Sequence, residues 1–359
     1  MNTLSNLWRY ARLVSHIHGK SIPRQAAEIL RLRFGPRRIG LTEYYEFELF
    51  DDALFNWNHR SHFIGHRYGS YLDRLLNADA WGAIAYDKIV NYQILSRLAL
   101  PIPEPIATYN PFGRRIGNEP VLTDVDSLLQ FIQRTKPYPF FIKPIHGYSG
   151  MASFGIRNID SCTGTVELIN GERIGLDVLT REILHEPHGG MLLQSLLRPH
   201  AAIAEVFGER LSGFRIVALL TDSGPRIHLA IWKLARHQNM TDNFSYGKYG
   251  NMQGWIDRDT GVLERVIMGF WPDNQEILDH PDTGRCMPGF RIPDWDKVRD
   301  AVLAAAVHFP GIKIQSWDVA LCDRGPVLLE LNTNANIEIP QLIGRKPFLD
   351  EHMDGLLPR

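Results

Sequence analysis

The spacing of apolar residues divides the chain into a helical beginning and a strand-rich remainder. Residues 43–100 are aromatic-rich and mostly helical in pattern, and the segment 98–111 then contains four prolines, which predicts a connection because proline interrupts helices and central strands. Beyond it, short β-type runs alternate with helical patterns. This order predicts an α+β fold with a largely antiparallel sheet. The runs read PFFIKP, GMLLQSLL, GFRIVALL, RIHLAIW, WDVALC and VLLELN.

Composition is typical of a soluble globular protein with room for two domains. The 359 residues are 44% apolar and 22% charged, and the formal net charge of −1 argues against nucleic-acid binding. Cys162, Cys286 and Cys322 are far apart, so we expect neither a disulfide framework nor a thiolate metal site. No apolar run has the length of a membrane span, and Arg9 and Arg12 interrupt the first segment, which therefore lacks a signal-peptide core. We expect a cytoplasmic protein.

The first forty residues are strongly basic, with eight lysines and arginines against Glu28 alone. Within them, Leu4, Leu7, Trp8 and Ala11 repeat at helical spacing. One interpretation is an amphipathic helix that lies on an anionic membrane and gives the protein a peripheral membrane contact. The other is a helix packed on its own domain. The sequence leaves both interpretations open.

Three histidines in the helical region fall on one face of a predicted helix. They are His59, His62 and His66. One interpretation is a metal site, since imidazole is a common metal ligand. Scattered helix histidines are more often structural, so the sequence does not assign these three a role.

The most informative stretch is a predicted hairpin near the C-terminus, in which WDVALC and PVLLELN are joined by DRG. A three-residue loop prefers a left-handed glycine at its last position, and Gly325 occupies that position. The resulting register pairs position 322 with 326, 320 with 328 and 318 with 330. Opposed residues share a face, so Asp318, Glu330 and Asn332 gather on one face. The other face is apolar and holds Trp317, Val319, Leu321, Val327, Leu329 and Leu331.

This polar face predicts a metal site. Two carboxylates and an amide oxygen are hard ligands that suit Mg²⁺, with waters and substrate phosphates in the remaining positions. An uncompensated buried carboxylate is costly, so a cation would also explain why the strand tolerates these residues. The alternative is a solvated hairpin face. Leu328 and the lack of the lysines expected on an exposed edge argue against that alternative.

A second polar feature follows the strand FFIKP. Lys143 stands at the end of this strand, and a loop with Gly147, Gly150 and Gly155 comes next. Glycines let backbone N–H groups approach a phosphate closely, and small residues such as Ser149 leave room for it. The loop is not a P-loop, because no Gly-Lys-Ser/Thr follows. Together with the hairpin, it predicts a site for nucleotide phosphates.

These motifs resemble the ATP-grasp superfamily and, within it, the sugar-transfer-associated ATP-grasp proteins found near bacterial polysaccharide genes. The resemblance runs from about Tyr86 to Gln341 and includes the hairpin, the glycine loop and the segments AYDKIVNYQIL, LLQSLL, DNFSYG, IDRDTG, HPDTG and IPDW. It implies an ATP-grasp fold in which two α+β lobes with antiparallel sheets clasp ATP. It also implies ATP and Mg²⁺ as cofactors, with Asp318, Glu330 and Asn332 as the magnesium triad.

The resemblance further implies which residues bind the nucleotide. Lys88 and Lys143 correspond to the two ATP lysines, and Gln194 corresponds to the side chain that reads adenine beside backbone contacts from the next three residues. Glu205 is a candidate for the ribose hydroxyls. The full implied set is Lys88, Lys143, Gly147, Ser149, Gly150, Met151, Gln194, Ser195, Leu196, Leu197 and Glu205.

Transfer of the γ-phosphate needs a further cation. Arg215 in GFRIV is the first candidate, because it lies on a predicted strand with small neighbours. Lys233 in IWKLAR is the second. The alternative for each residue is a surface ion pair.

The expected organisation is a mainly helical region over residues 1–85 and an ATP-grasp domain over 86–359. The first lobe, 86–193, carries the glycine loop, and the second lobe, 194–359, carries the magnesium hairpin. The resemblance implies a ligase that joins a small-molecule carboxylate to an amine through an acyl phosphate, in polysaccharide or secondary-metabolite biosynthesis. Two alternatives stay open: a kinase acting on a sugar-like hydroxyl, and a non-catalytic ATP-binding scaffold. Asn334 and the segment SYGKYGN depart from the family pattern, so the sequence does not identify the acceptor.

Overall fold

The chain folds into two lobes, each built on a sheet, with a helical N-terminal region packed on the second. In the computed structural model, the strands of the described residues form two sheets of seven strands. The predicted α+β architecture of two antiparallel-rich lobes is confirmed. The residues that the structure describes are 3–146, 152–160, 162–185, 190–350, 353, 356 and 357.

The N-terminal region is helical, as its spacing predicts. A short 3₁₀ turn, Asp79–Trp81, lies between its fifth and sixth helices. The α-helices before the first strand are α1 (Thr3–His18), α2 (Ile22–Arg33), α3 (Glu43–Glu46), α4 (Trp57–Arg60), α5 (His66–Leu76), α6 (Gly82–Tyr86) and α7 (Lys88–Arg97).

The first lobe packs two helices on its sheet. Its elements are β1 (Pro105–Tyr109), β2 (Val121–Leu122), α8 (Val125–Thr135), β3 (Phe140–Pro144), β4 (Phe154–Asp160), β5 (Thr165–Leu168), β6 (Arg173–Gly175), α9 (Leu176–Leu184) and β7 (Met191–Ser195). The strand order is β2-β1-β7-β3-β4-β5-β6, and only the β1–β2 pair is parallel among the described strands. Helix α8 begins where the carboxylate of Asp124 accepts a hydrogen bond from the N–H of Ser127. It is one of the helical patterns expected between the β-type runs.

The second lobe contains the larger strands. Its elements are α10 (Ala201–Phe207), β8 (Phe214–Thr221), β9 (Gly224–Leu234), β10 (Met252–Ile256), β11 (Leu263–Met268), β12 (Gln275–Glu276), α11 (Trp295–Ala306), β13 (Ile314–Cys322), β14 (Gly325–Asn332) and α12 (Glu338–Gly344). The strand order is β12-β11-β10-β9-β8-β13-β14, and all of these pairs are antiparallel. Another 3₁₀ turn, Ser245–Gly247, precedes β10.

The second sheet is buried on both faces, which explains why its strands are so apolar. Along β8, Phe214 and Ile216 point into a core shared with α11. The alternate residues Val217 and Leu219 point into a different core, which contains residues of α1, α2 and α5. The N-terminal helices therefore cover one face of the second sheet. This face is also the one that bears the polar site described below.

Helix α1 directs most of its apolar stripe inwards. Ala11 and Val14 are buried in the core shared with the second sheet, and Leu7 packs against that core. Trp8 remains 59% exposed. This arrangement favours the interpretation that α1 packs on its own protein. Among the residues described, no helix combines the length and the apolarity needed to cross a bilayer.

Two details of the helical and proline-rich segments differ from, or refine, the sequence analysis. The prediction that residues 98–111 are only a connection is wrong, because β1 lies within them and starts at Pro105. Proline is tolerated as the first residue of a strand. The prediction that three histidines share one helix face is wrong, because His59 is in α4, His62 lies between α4 and α5, and His66 begins α5. His59 packs edge-on against Phe55, while His62 contacts Asn58 and His66 contacts Glu338. Among the described residues, no three His, Cys, Asp or Glu side chains form a metal-binding group.

Candidate nucleotide and metal site

The β13–β14 hairpin brings the three predicted metal ligands onto one face. Asp318 pairs with Glu330, and Ser316 pairs with Asn332 in the antiparallel ladder. Directly opposed residues in such a ladder project to the same side of the sheet. Asp318 and Asn332 are buried, whereas Glu330 is partly exposed. The structure therefore groups two carboxylates and an amide, the donor set that suits a magnesium ion.

The register of this hairpin corrects the predicted loop. Cys322 pairs with Gly325, so the loop has two residues rather than three, and position 320 pairs with 327. A β-bulge next to Asp318 then adds one residue to β14 and restores the predicted 318–330 pair. As a result, Leu328 is the buried core residue, while Leu329 lines a large cavity. The predicted apolar face, which placed Leu329 in the core, is wrong at that position.

Asp318 is compensated by two cations from neighbouring strands. Arg215 on β8 donates from Nε and Nη2 to the two carboxylate oxygens, at 2.9 and 3.0 Å. Lys233 on β9 donates from Nζ to Oδ2 at 3.0 Å, and it also lies 3.3 Å from Asp242. Burial by itself would raise the pKa of Asp318, but Arg215 and Lys233 hold that pKa well below its usual range. The surface-ion-pair alternative does not describe Arg215 and Lys233, because they form a buried network.

Lys88 and Lys143 also lie at this site. Lys88, the first residue of α7, is buried, and its Nζ is 3.4 Å from Glu330. Lys143 donates to the Tyr92 hydroxyl at 3.0 Å, and that hydroxyl donates to the carbonyl of Leu329 at 2.9 Å. Burial, together with the nearby charge of Lys88, lowers the pKa of Lys143 to about 7. An anion placed beside Lys143 would restore its charge.

A cavity of about 730 Å³ opens beside Lys143 and is lined by residues of both lobes. Gln194, Leu196 and Leu197, which the sequence resemblance assigns to adenine binding, line this cavity. Oε1 of Gln194 is buried without a hydrogen-bond partner in the described part of the chain. Such an acceptor is costly to leave unpaired, and an adenine amino group would satisfy it. Ser195 is not among the lining residues, because its N–H and hydroxyl bond to Glu104.

Two predicted nucleotide contacts are placed elsewhere by the structure. Glu205 lies on the exposed side of α10, since Ile203 and Phe207 take the inward side. Glu209, one helical turn further along the chain, lines the cavity instead. Gly155 belongs to β4 rather than to the loop, and a Cβ there would lie 2.3 Å from the side chain of Ile169. The predicted loop contacts Gly147, Ser149, Gly150 and Met151 lie outside the described residues.

Sequence reasoning missed several polar groups around the site. Tyr92 stands four residues after Lys88, so helical spacing in AYDKIVNYQIL was the available signal. Asp242, the first residue of DNFSYG, accepts from the N–H of Gly213 at 2.8 Å and pairs with Lys233. Asp87 caps α7 by accepting from two backbone N–H groups, and it also contacts the side chains of Arg114 and His146. Its signal was an aspartate directly before a helix.

Comparison with known proteins places the chain among the ATP-grasp proteins. It belongs to the sugar-transfer associated ATP-grasp family, which matches residues 69–353. The resemblance recognised in the sequence is therefore confirmed. Helices α1 to α4 precede the matched region. A comparison with curated proteins gives no match.

Several solved structures are similar to this chain at low sequence identity. VanG D-Ala:D-Ser ligase from Enterococcus faecalis is 13% identical, with a TM-score of 0.42 over 78% of this chain and 60% of its own. The ADP complex of purK, N5-carboxyaminoimidazole ribonucleotide synthetase, is 10% identical, with a TM-score of 0.41 over 76% of this chain and 52% of its own. D-alanine-D-alanine ligase from Helicobacter pylori is 9% identical, with a TM-score of 0.40 over 74% of this chain and 62% of its own. The chain thus spans less than two thirds of these proteins.

The residues present fit a magnesium–nucleotide complex. The carboxylates of Asp318 and Glu330 and the amide of Asn332 are hard oxygen donors on one face. Nδ2 of Asn332 is buried and has no partner within the described residues, so the amide can turn its oxygen to a metal without breaking a hydrogen bond. The hydroxyl of the opposed Ser316 is likewise buried without a described partner. These orphaned groups indicate a site that a ligand completes.

Asp318 and Glu330 should differ in how much each contributes to the stability of the fold. We expect Asp318→Asn to lower the free energy of unfolding by about 3 kcal/mol, because it leaves buried cations without their counter-charge. Glu330→Gln serves as the matched control and should cost about 1 kcal/mol or less, since Glu330 is partly exposed and makes a long pair with Lys88. Urea unfolding without metal measures both values. Equal losses in the two variants would contradict the compensating role of Arg215 and Lys233.

The lowered pKa of Lys143 predicts proton uptake on nucleotide binding. Above its pKa of about 7, the free protein holds Lys143 mostly neutral, and a bound phosphate should recharge it. At pH 8 we therefore expect uptake of about one proton per nucleotide, and an affinity that falls as pH rises from 7 to 9. Calorimetry in buffers of different ionisation enthalpy measures the uptake.

The exposed Lys297 provides the control for this measurement, because Lys297→Met should leave the uptake unchanged, whereas Lys143→Met should remove it. Uptake that persists in Lys143→Met would show that another group takes the proton.

Proposed function

We propose that the protein is an ATP- and magnesium-dependent ligase that joins a carboxylate to an amine through an acyl phosphate. The observation that carries the proposal is the hairpin face, on which Asp318, Glu330 and Asn332 stand opposite Arg215 and Lys233 beside a nucleotide-sized cavity. Phosphoryl transfer needs mainly positioning and positive charge, and this face supplies both. Family membership supports the use of ATP.

Each part of the site has a proposed role in holding ATP. Asp318, Glu330 and Asn332 would hold Mg²⁺, which supplies charge neutralisation at the phosphate oxygens. Lys88 and Lys143 would bind the α- and β-phosphates, whereas the γ-phosphoryl group is the one transferred. In the cavity, Gln194, Leu196 and Leu197 would hold the adenine. Glu209 replaces Glu205 as the candidate for the ribose hydroxyls, because only Glu209 lines the cavity.

Arg215 and Lys233 would change partners when the nucleotide binds. Both now neutralise Asp318, which keeps the carboxylate ionised within the protein. A magnesium ion at Asp318 would take over that neutralisation, so that Arg215 becomes available to the γ-phosphate. In that position its guanidinium would stabilise the charge that develops on the transferred phosphoryl group. Lys233 keeps Asp242 as a second counter-charge.

We place the acceptor in a second cavity of about 310 Å³ that begins directly after the metal hairpin. Asn77 fixes this junction by donating to the carbonyls of Thr333 and Ile314, at 2.8 and 3.0 Å. Asn334, where the sequence departs from the family pattern, lines the cavity. Most of the lining residues have polar side chains, which suits a small polar acceptor. It consists of Ser70, Asp73, Arg74, Asn77, Ala78, Asp79, Gly82, Thr333 and Asn334.

Asp73 is the group in this second cavity that is best suited to take a proton from the acceptor. Its Oδ1 is buried without a hydrogen-bond partner in the described structure. Burial and the nearby Glu338 raise the pKa of Asp73 to about 7. An acceptor ammonium must lose one proton before its nitrogen can attack the acyl phosphate, and the nitrogen loses a second proton as the amide forms and phosphate leaves. The same carboxyl group favours a second candidate function, a kinase that transfers the γ-phosphoryl group to a hydroxyl.

Product analysis tests the proposed function. Magnesium-ATP is incubated with pools of amino acids, uronic acids, sugars and amines, singly and in pairs, and the release of ADP and phosphate is recorded with product masses. We expect release only with a carboxylate and an amine together, and a product lighter than their sum by one water. A stable phosphate adduct of one hydroxyl compound would identify the kinase instead. ATP binding with no release from any pool would contradict both functions and leave the scaffold.

The second cavity predicts a variant that separates acceptor chemistry from ATP binding. We expect Asp73→Asn to leave the nucleotide dissociation constant within about twofold and to lower acceptor-dependent turnover by about 10²-fold, because only the proton transfer is lost. Asp296→Asn is the matched control, since its carboxylate is exposed and pairs only with Arg299 among the described contacts. Wild-type turnover in Asp73→Asn would remove Asp73 from the reaction.

A further inference from the structure

Helix α2 presents an apolar stripe to solvent. Pro23, Ala26, Ala27, Leu30 and Phe34 are all exposed, and they recur at intervals of three and four residues along the helix and its C-cap. At about 100° per residue, this spacing places them on one face. Leu30 is 53% exposed and Phe34 is 84% exposed. Large apolar side chains are normally covered when they stand together on one helix face.

The stripe is separate from the surface that holds α2 on the protein. Ile29 and Leu32 are buried in the core shared with the second sheet, and Gln25 is buried by bonds to the carbonyls of Ala11 and Lys20. Helical geometry places these inward residues on the opposite side from the exposed stripe. Helix α2 is therefore apolar on two faces, of which only one is used within the described structure.

Arginines border the exposed stripe on both sides. Arg24 and Arg31 follow it on one side of the helix, Arg33 lies on the other, and Arg37 and Arg38 come just after the C-cap. Arg33 and Arg38 make no ion pair within the described residues. Long cationic side chains beside an apolar face suit a headgroup region, where the stem stays in the apolar layer and the charge stays in water.

Acidic residues neutralise one of these arginines, because Arg24 donates to Glu28 at 3.2 Å and to Asp52 at 2.9 Å. Glu28 is engaged in an internal network, in which it accepts from Lys20 at 2.9 Å and from the hydroxyl of Tyr44. Arg60 and Asp52 complete the network, with Nη2 of Arg60 2.5 Å from Oδ1 of Asp52. Arg31 lies over the ring of Trp57. With Arg24 neutralised, Arg33 and Arg38 are the arginines that give the exposed apolar face a positive border, and this combination is complementary to an anionic bilayer.

We propose that the exposed face of α2, formed by Pro23, Ala26, Ala27, Leu30 and Phe34, docks the protein on an anionic membrane surface. The apolar side chains enter the headgroup and upper acyl layer, and the bordering arginines contact the lipid phosphates. The contact is peripheral and reversible, because one short helix buries limited apolar area. Helix α1, whose stripe faces inward, is not the docking helix.

The experiment is vesicle flotation of the whole protein without nucleotide. Vesicles of phosphatidylcholine alone are compared with vesicles that also contain phosphatidylglycerol, at low and at high salt. We expect binding to the anionic vesicles only, weakened by salt because screening shortens the range of the attraction. Nucleotide is absent, so the result is independent of the proposed ligase activity.

Variants on α2 test which residues dock. The double variant Leu30→Ser and Phe34→Ser should lower the partition coefficient by about tenfold or more. Arg33→Gln and Arg38→Gln should lower it by about fivefold each. Phe112→Ser is the matched control, because Phe112 is also 84% exposed but lies in the first lobe. It should bind as the wild type does.

The proposal is overturned if the wild type ignores anionic vesicles, or binds neutral ones equally well. It is also overturned if the double variant binds like the wild type, or if Phe112→Ser loses binding to the same degree. Unfolding midpoints of all variants should match the wild type, since the substituted side chains are mainly exposed. A variant that has lost stability is replaced by Phe34→Ser alone, which keeps the comparison with Phe112→Ser.

Discussion

The candidate site depends on one buried charge cluster, in which Arg215 and Lys233 compensate the carboxylate of Asp318. A buried carboxylate in the middle of an apolar sheet is stable only with such partners. Three different strands supply the three groups, so the cluster also fixes how β8, β9 and β13 present their side chains. The same partners keep Asp318, a proposed metal ligand, ionised before any metal binds. Structural stability and readiness to bind magnesium therefore have one physical cause.

The second sheet explains how the N-terminal region can contribute to the chemistry. The face that bears Arg215 also bears Val217 and Leu219, which are covered by the N-terminal helices. Residues between 70 and 82 of this region line the cavity beside Thr333. Asn77 ties that cavity to the end of the hairpin through its hydrogen bond to Thr333. The lining residues between 70 and 82 lie within the matched region 69–353, so the family region itself would shape the proposed acceptor side. Helix α2 precedes that region and carries the exposed face proposed for membrane docking.

Much of this arrangement was predictable from residue spacing, but details set by tertiary contacts were not. Alternation along β13 and β14 correctly predicted that Asp318 opposes Glu330, because a sheet buried on both faces tolerates few polar positions. The bulge that exchanges the roles of Leu328 and Leu329 was missed. A two-residue turn followed by a bulge gives the same Asp318–Glu330 pair as the predicted three-residue turn, so that pair does not distinguish the two arrangements. The choice between Glu205 and Glu209 depends on where α10 ends and on the path of the chain after Gly208, which tertiary contacts determine.

The most direct test of the magnesium site is Mn²⁺ binding, followed by electron paramagnetic resonance with a non-hydrolysable ATP analogue. Asn332→Ala is the informative variant, because it removes an amide ligand without altering the buried charges. We predict that the wild type binds Mn²⁺ tightly only with the analogue present, and that Asn332→Ala weakens this binding at least about tenfold. The analogue alone should bind both proteins equally. Equal Mn²⁺ affinity in the two proteins would contradict the assignment of the hairpin as the metal site.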